Sequence, residues 1–178
     1  MLTNQDKIKL VFPDISMRQS ILSFKEAFYQ AGERTIPGSY KLDNDRVPYD
    51  QWIDILNMNL SKATANPKFG TSETYLALNR DGAIVGIVNL RHELTPFYQD
   101  SGHIGYSVHP AHRRKGYAKA VLCAILEKAE EYGMDDVKLV CSDRNTASRK
   151  TIESCGGVAT RAILDDDGMK HEYIITWK

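Results

Sequence analysis

The chain has 178 residues, 26% of them charged, and its 23 Lys and Arg residues balance its 23 Asp and Glu residues, so the formal net charge is zero. A neutral chain has no general attraction to nucleic acid or to anionic membranes, and we expect neither as a partner. The length predicts one domain over residues 1–178. Because residues 1–10 are polar and charged and no apolar run has membrane-spanning length, we expect a cytoplasmic protein without a signal peptide.

Apolar periodicity and turn residues predict seven strands and four helices. In chain order, the predicted elements are a strand (8–12), a helix (15–31, with Asp14 as N-cap), a helix (49–62), a hairpin (74–79 and 83–90), a strand (103–108), a helix (from 118), a strand (137–141), a helix that starts near Asn145, and a hairpin (158–164 and 172–177). Asp81-Gly82 predicts a type I′ turn. The residues of the first two helices predicted to be apolar core positions are Ile15, Ile21, Leu22, Phe24, Phe28, Trp52, Ile53, Leu56 and Leu60.

The stretch 104–118, IGYSVHPAHRRKGYA, places a short apolar strand, a basic turn and an amphipathic helix in succession. The open N–H groups of a helix N-terminus bind anions, and a glycine at position 116 lets the backbone approach a phosphate closely. Gly133 follows the last helical turn as a C-cap. The strand–helix–strand order predicts that strands 103–108 and 137–141 form a parallel pair.

Two familiar phosphate-binding patterns are missing from the sequence. It contains neither G-x-x-x-x-G-K-[ST] nor G-x-G-x-x-G after a strand, which argues against a P-loop NTPase and a dinucleotide-binding fold. An alternative is that Arg113, Arg114 and Lys115 form only a solvated turn before the helix. The preceding strand and the Gly-x-Ala at the helix start favour a pyrophosphate site.

The three cysteines, Cys123, Cys141 and Cys155, do not have the spacing of a metal site. Each lies in or beside a predicted helix or strand. We therefore expect buried free thiols in a reducing compartment, and no metal.

Four motifs resemble the GCN5-related N-acetyltransferase (GNAT) superfamily: Val108-His109-Pro110, Arg113-Arg114-Lys115-Gly116-Tyr117-Ala118, Asn145-Thr146-Ala147-Ser148 and Cys155-Gly156-Gly157. The resemblance implies an α/β (α+β) acyl-CoA N-acyltransferase fold. In that fold a mixed, mainly antiparallel sheet of about seven strands, flanked by about four helices, splays apart between strands 4 and 5.

The resemblance also implies a reaction: acetyl transfer from acetyl-CoA, a co-substrate, to a primary amine on a small molecule or a peptide N-terminus. The implied acetyl-CoA-binding residues are Val108, Arg113, Arg114, Lys115, Gly116, Tyr117, Ala118, Asn145 and Ser148. A backbone N–H near Val108 would polarise the acetyl carbonyl. Asn145 could instead only cap its helix. We expect a monomer or homodimer.

The chain departs from the family at the proton-transfer groups. Many members carry a Tyr seven residues after the Asn as general acid, and here that position is Ile152. The candidates for the general base are His92, Glu93, His103 and Tyr106, with a structural role favoured for His103. Two alternatives to an enzyme therefore stay open: a non-catalytic acyl-CoA-binding module or sensor, and an unrelated phosphate-binding domain.

Overall fold

Seven strands and four α-helices make up residues 8–177, the part of the chain that the computed structural model describes. The elements are β1 (Ile8–Val11), α1 (Arg18–Gln30), α2 (Tyr49–Met58), β2 (Ser72–Asn79), β3 (Ile84–Arg91), β4 (Ile104–Val108), α3 (Tyr117–Glu131), β5 (Asp136–Ser142), α4 (Thr146–Ser154), β6 (Val158–Asp165) and β7 (Gly168–Thr176). Short 3₁₀ turns lie at Ile15–Met17 and Pro110–His112. The predicted order of elements is confirmed. Most of the polar segment 1–10, from which we expect no signal peptide, lies outside the described residues.

The strands form two antiparallel sheets, one of order β1-β2-β3-β4 and one of order β5-β7-β6. β4 and β5 meet only at a bridge between Gly102 and Leu139. There the His103 N–H donates to the Lys138 carbonyl at 2.7 Å, and the Lys138 N–H donates to His103 Nδ1 at 2.9 Å. The predicted splay between strands 4 and 5 is therefore confirmed. The predicted parallel ladder between them is wrong, because the two strands are tied together at one end only.

The two central strands of the first sheet, β2 and β3, are buried on both faces. Leu76 and Ile87 pack with α1 and α2, whereas Ala77 and Val88 pack with α3. Successive residues of one strand thus pack into two different cores, because neighbouring side chains of a strand point to opposite faces of the sheet. The result is a layer of α1 and α2, a sheet, and a layer with α3, so that α1 and α3 lie on opposite sides of β4's sheet.

Several local predictions were wrong in detail. Ile15, Leu22 and Leu60 are exposed. In α1 the buried stripe is Ile21, Phe24 and Phe28, at steps of three and four, and Leu22 lies about 100° away from Ile21 around the helix axis. The second helix ends at Met58, four residues earlier than predicted, so Leu60 lies beyond it.

The turn between β2 and β3 is not type I′. Gly82 has a φ of +79°, but Asp81 is not among the residues with positive φ, which a type I′ turn requires at both central positions. Instead the Asn79 side-chain oxygen accepts the N–H groups of Asp81 and Ala83, at 3.1 and 2.9 Å. This side chain organises a longer connection over residues 80–83.

The connection between α1 and α2 lies directly on β4. Gly38 packs against the backbone of Gly105, and the Ser107 hydroxyl donates to the Pro37 carbonyl at 2.6 Å. A Cβ on Gly38 would lie 2.9 Å from Tyr106 Cα, which is too close for backbone that cannot move aside. This contact fixes the long connection over one face of the site described below.

We expect Gly38→Ala to destabilise the protein by about 3 kcal/mol or more, because overpacking adds to the strain of a left-handed residue. Gly32→Ala is the matched control: its φ of +80° is close to the +83° of Gly38, but nothing lies within 4 Å of its added Cβ. That control should cost only about 1 kcal/mol. Urea unfolding measures both, and equal losses would show that the contact with β4 contributes nothing.

Candidate active site

A cavity of about 540 Å³ opens where the ends of four elements meet. Its walls come from the α1–α2 connection, the end of β4, and the N-terminal ends of α3 and α4. A volume of this size suits a small-molecule ligand. The predicted site residues that line it are Tyr106, Val108, Arg113, Arg114, Gly116, Ala118, Asn145 and Ser148. Lys115, Tyr117, Glu93 and His103 are not among its lining residues.

The basic loop, residues 113–116, leads into α3 through two left-handed residues. Arg114 has a φ of +60° and Gly116 a φ of +83°, and Gly116 is the N-cap of the helix. No side chain caps this N-terminus within the described part of the chain, so the first N–H groups of α3 lack a side-chain partner. An anion at this end of the cavity would meet those N–H groups and the positive end of the helix dipole.

The three basic residues of the loop, Arg113, Arg114 and Lys115, have different partners. Arg113 forms a two-pronged ion pair with Glu33, at 2.5 and 2.8 Å, and its Nε donates to the Val108 carbonyl at 3.1 Å. The Lys115 ammonium donates to the Ala111 carbonyl, away from the cavity. Arg114 does line the cavity, as does Lys119 in the first turn of α3. The positive charge available to an anion is therefore that of Arg114 and Lys119.

Sequence reasoning missed Lys119, Glu33 and Thr151, which also line the cavity. Lys119 was detectable, because a residue in the first turn of α3 lies next to the predicted anion site. Glu33 follows α1 in a stretch without periodicity, and no pattern connects it with Arg113. The guanidinium of Arg113 lowers the pKa of the Glu33 carboxyl mainly through its hydrogen bonds, so Glu33 stays ionised and is a weak base.

The edge of β4 that faces away from β3 has free backbone groups. The His103 carbonyl accepts the Arg91 N–H at 2.8 Å, and the His109 N–H donates to the Val85 carbonyl at 2.9 Å. In an antiparallel ladder such bonds recur at every second residue, so positions 105 and 107 point their backbone groups at β3. The N–H groups of Tyr106 and Val108 therefore point into the gap between the two sheets.

The Tyr106 side chain reaches α4 across the cavity. Its hydroxyl lies 3.1 Å from the Ser148 hydroxyl, and burial raises its pKa, so the phenol keeps its proton at neutral pH. The side-chain oxygen of Asn145 caps α4, because it accepts the Ser148 N–H at 3.0 Å. This is the capping role that the sequence left open for Asn145. Its side-chain NH₂ group has no hydrogen-bond partner among residues 8–177. Ile152 is 1% exposed and belongs to the core, so it does not reach the cavity.

The proposed bases other than Tyr106 lie away from the cavity lining. His103 is five residues before Val108 on an extended segment, roughly 16 Å away at strand spacing. Its Nδ1 accepts the Lys138 N–H, and burial lowers its pKa. His92 and Glu93 follow β3, at the end of the sheet opposite Val108, and both contact Thr71. His103 therefore lies at the contact between the two sheets and away from the cavity lining, and whether it has a catalytic or a structural role stays a prediction.

Among residues 8–177, no group of three or more His, Cys, Asp or Glu side chains could hold a metal ion. No helix in this range is both long and apolar enough to cross a membrane. The cavity instead combines a free strand edge, an uncapped helix N-terminus with two cations, and a protonated phenol. Such a set of groups can bind an extended amide-containing ligand with an anionic end and can donate a proton inside.

Comparison with protein families finds one match. A family model described as an acetyltransferase (GNAT) domain matches residues 26–158. No curated protein matches the chain. Among solved structures, the microcin C7 self-immunity acetyltransferase MccE, crystallised with acetyl-CoA and AMP, has a TM-score of 0.75 at 12% identity and covers 99% of this chain and 96% of its own.

Two structures from Vibrio cholerae are also similar. Mutant forms of the spermidine/spermine N-acetyltransferase SpeG give a TM-score of 0.68 at 14% identity, over 96% of this chain and 94% of that one. A protein provisionally named a ribosomal-protein-serine acetyltransferase gives 0.66 at 16% identity, over the same shares. At these identities the likeness shows a shared fold.

Proposed function

Since the chain belongs to the GNAT acetyltransferase family, we propose that it transfers an acetyl group from acetyl-CoA to a primary amine, with residues 1–178 acting as one domain. The single observation that carries the proposal is the cavity itself. It brings the free edge of β4, the uncapped N-terminus of α3 and the Tyr106–Ser148 hydroxyl pair to one place. Each feature suits a different part of acetyl-CoA.

The proposed binding of acetyl-CoA follows from matching the groups of the ligand to the groups that line the cavity. The pyrophosphate of acetyl-CoA fits the N-terminus of α3, with Arg114 and Lys119 as counter-charges. Its pantetheine arm contains two amides, which suit the free N–H and C=O groups on the edge of β4. The Asn145 NH₂ group can donate to the same arm. MccE, crystallised with acetyl-CoA, has the same fold and supports this assignment.

The chemical half needs a polarised carbonyl and a proton for the leaving thiolate. The amine nitrogen attacks the thioester carbon, and the Val108 N–H stabilises the negative charge that develops on the carbonyl oxygen. As the carbon–sulfur bond breaks, the Tyr106 hydroxyl, in contact with Ser148, donates a proton to sulfur. The amine nitrogen loses one proton to water as the amide forms, and Tyr106 regains its proton from solvent. Tyr106 thus takes the place of the family's usual general acid, because Ile152 at that position cannot donate a proton. Because burial raises the pKa of Tyr106, we assign it the acid role and not that of the base.

We expect the rate to rise with pH. The carboxylate that lines the cavity, Glu33, is paired with Arg113 and has a lowered pKa, so it is a poor acceptor for the amine proton. An alkyl primary amine has a pKa near 10, so with an acceptor such as spermidine kcat/KM at low amine concentration should increase roughly tenfold per pH unit between about pH 6 and 9. With a peptide N-terminus, whose pKa is about 8, the rise should level off above about pH 8.

A plateau near pH 7 would contradict this pH dependence, because it would require a base with a near-neutral pKa. In that event His103→Ala and Glu93→Ala become the next variants to assay. A matched control is acetyl-CoA binding, which should change little over the same pH range.

The acceptor class rests on the relatives. SpeG is named for spermidine and spermine, and the provisional ribosomal-protein enzyme for ribosomal-protein serine, so small polyamines and peptides with a free N-terminus are the first acceptors to test. One spermidine N-acetyltransferase structure from Vibrio cholerae is dodecameric. For this chain we propose a monomer or homodimer. A cytoplasmic location remains part of the proposal.

The second candidate function is an acyl-CoA-binding sensor without turnover, which the core position of Ile152 favours. Binding is tested first, by calorimetry with acetyl-CoA, CoA and 3′-phosphoadenosine 5′-diphosphate. We expect this nucleotide, which keeps the pyrophosphate but lacks the pantetheine arm, to bind much more weakly. Equal affinities would show that the β4 edge does not contribute to binding, and would favour a domain that binds only the phosphates.

A further inference from the structure

Two of the three cysteines lie side by side where α3 packs against α4. Cys123 is on α3, Cys155 is the C-cap of α4, and their sulfur atoms are 3.6 Å apart. Both are half-buried, whereas Cys141 is buried, with its thiol directed at the carbonyls of Ser142 and Asn145. Neither Cys123 nor Cys155 lines the cavity, so acetyl transfer leaves this dithiol unused.

We propose that Cys123 and Cys155 form a reversible intramolecular disulfide in the folded protein, by reaction with a low-molecular-weight disulfide such as oxidised glutathione. Bond formation needs the two sulfur atoms to approach by about 1.5 Å, to a bonded distance of about 2.05 Å. Cys155 lies at the end of a nine-residue helix, and Gly156 follows with a φ of +91° and nothing within 4 Å of its Cβ position. This helix end has room to make that small movement.

The two thiols are not equivalent. The hydrogen bond from the Cys155 thiol lowers the pKa of Cys123 to about 7, and the Lys119 ammonium acts in the same direction, against burial and the nearby Glu127. The same hydrogen bond and burial raise the pKa of Cys155. Since the thiolate is the reactive form, Cys123 is the attacking group and Cys155 the resolving one.

The reaction balances in two exchange steps. The Cys123 thiolate attacks one sulfur of the glutathione disulfide, which forms a mixed disulfide and releases one glutathione thiolate. Cys155 then loses its proton to that thiolate and attacks the Cys123 sulfur, which releases the second glutathione. The protein is oxidised by two electrons, and one glutathione disulfide is reduced to two thiols.

The bond would join the two helices whose N-terminal ends line the cavity. It closes the loop between positions 123 and 155, which restricts the unfolded chain, so we expect the melting temperature to rise by about 5–10 °C. Because neither cysteine lines the cavity, acetyl-CoA affinity should stay within about twofold. This inference does not rest on the proposed acetyl transfer.

The test is thiol counting and peptide mapping of the full chain after treatment with excess oxidised glutathione at pH 7.5. We expect the wild type to lose two of its three free thiols without a stable adduct, and a Cys123–Cys155 peptide to appear. Cys141→Ser, the matched control, should form the same bond, and Cys155→Ser should trap glutathione on Cys123. A wild type that keeps all three thiols, or a bond that maps to Cys141, would overturn the proposal. If a variant fails to fold, the result for the wild type is sufficient to decide.

Discussion

Gly116→Asp is expected to weaken acetyl-CoA binding by at least about 100-fold while leaving the fold intact. Asp tolerates the left-handed conformation better than most residues, so the φ of +83° at this N-cap can be kept. Its side chain would occupy the space where the pyrophosphate meets α3, and its charge would repel the phosphates and offset Arg114 and Lys119. Calorimetry measures the affinity, and circular dichroism checks the fold.

Gly116→Asn is the matched control, because Asn has nearly the same shape, the same tolerance of positive φ and no charge. We expect it to lose less affinity than the Asp variant, and the difference measures the electrostatic part. If the folded Gly116→Asp variant binds acetyl-CoA as tightly as the wild type, the pyrophosphate does not lie at this helix N-terminus.

Tyr106→Phe is expected to lower kcat by about 100-fold, the lower range for loss of a general acid, with acetyl-CoA affinity changed less than about threefold. The phenyl ring keeps the packing of Tyr106 and removes only the hydroxyl that contacts Ser148. Steady-state rates of CoA release give kcat, and calorimetry gives the affinity.

Ser148→Ala separates the two hydroxyls. If Tyr106 is the donor and Ser148 only positions it, Ser148→Ala should lose less rate than Tyr106→Phe, and the double variant little more than Tyr106→Phe alone. An unchanged kcat in Tyr106→Phe would mean that the thiolate leaves without help. Ile152→Tyr is not a useful rescue, because Ile152 is fully buried and a larger ring would overpack the core.

The parts of the site that sequence could predict are those encoded by local backbone chemistry. A glycine before an amphipathic helix and an Asn before the next one predict two helix N-termini, and Gly116 and Asn145 are the N-cap residues of α3 and α4. The helices and hairpins followed from apolar periodicity in the same way. Asp14, predicted as an N-cap, accepts the Ser16 N–H at 2.7 Å.

What the sequence could not give are contacts between residues far apart in the chain. The Glu33–Arg113 ion pair spans 80 residues and the Tyr106–Ser148 contact 42, and no local pattern encodes either. Arg113, predicted as an acetyl-CoA ligand, lines the cavity and is paired with Glu33, a partner that the sequence did not indicate, and its role in binding stays a prediction. The parallel ladder between β4 and β5 was wrong for the same reason, because the strand–helix–strand order does not determine whether two neighbouring strands hydrogen-bond along their length.

The most direct test of acetyl transfer is an assay of CoA release from acetyl-CoA against a panel of primary amines, with product mass analysis. The panel should contain spermidine, free amino acids and peptides with different N-terminal residues. We predict amine-dependent CoA release, with one acetyl group added to the nitrogen of at least one panel member, at a rate that rises with pH. Tight acetyl-CoA binding without amine-dependent release from any member would contradict the enzyme assignment and favour the sensor.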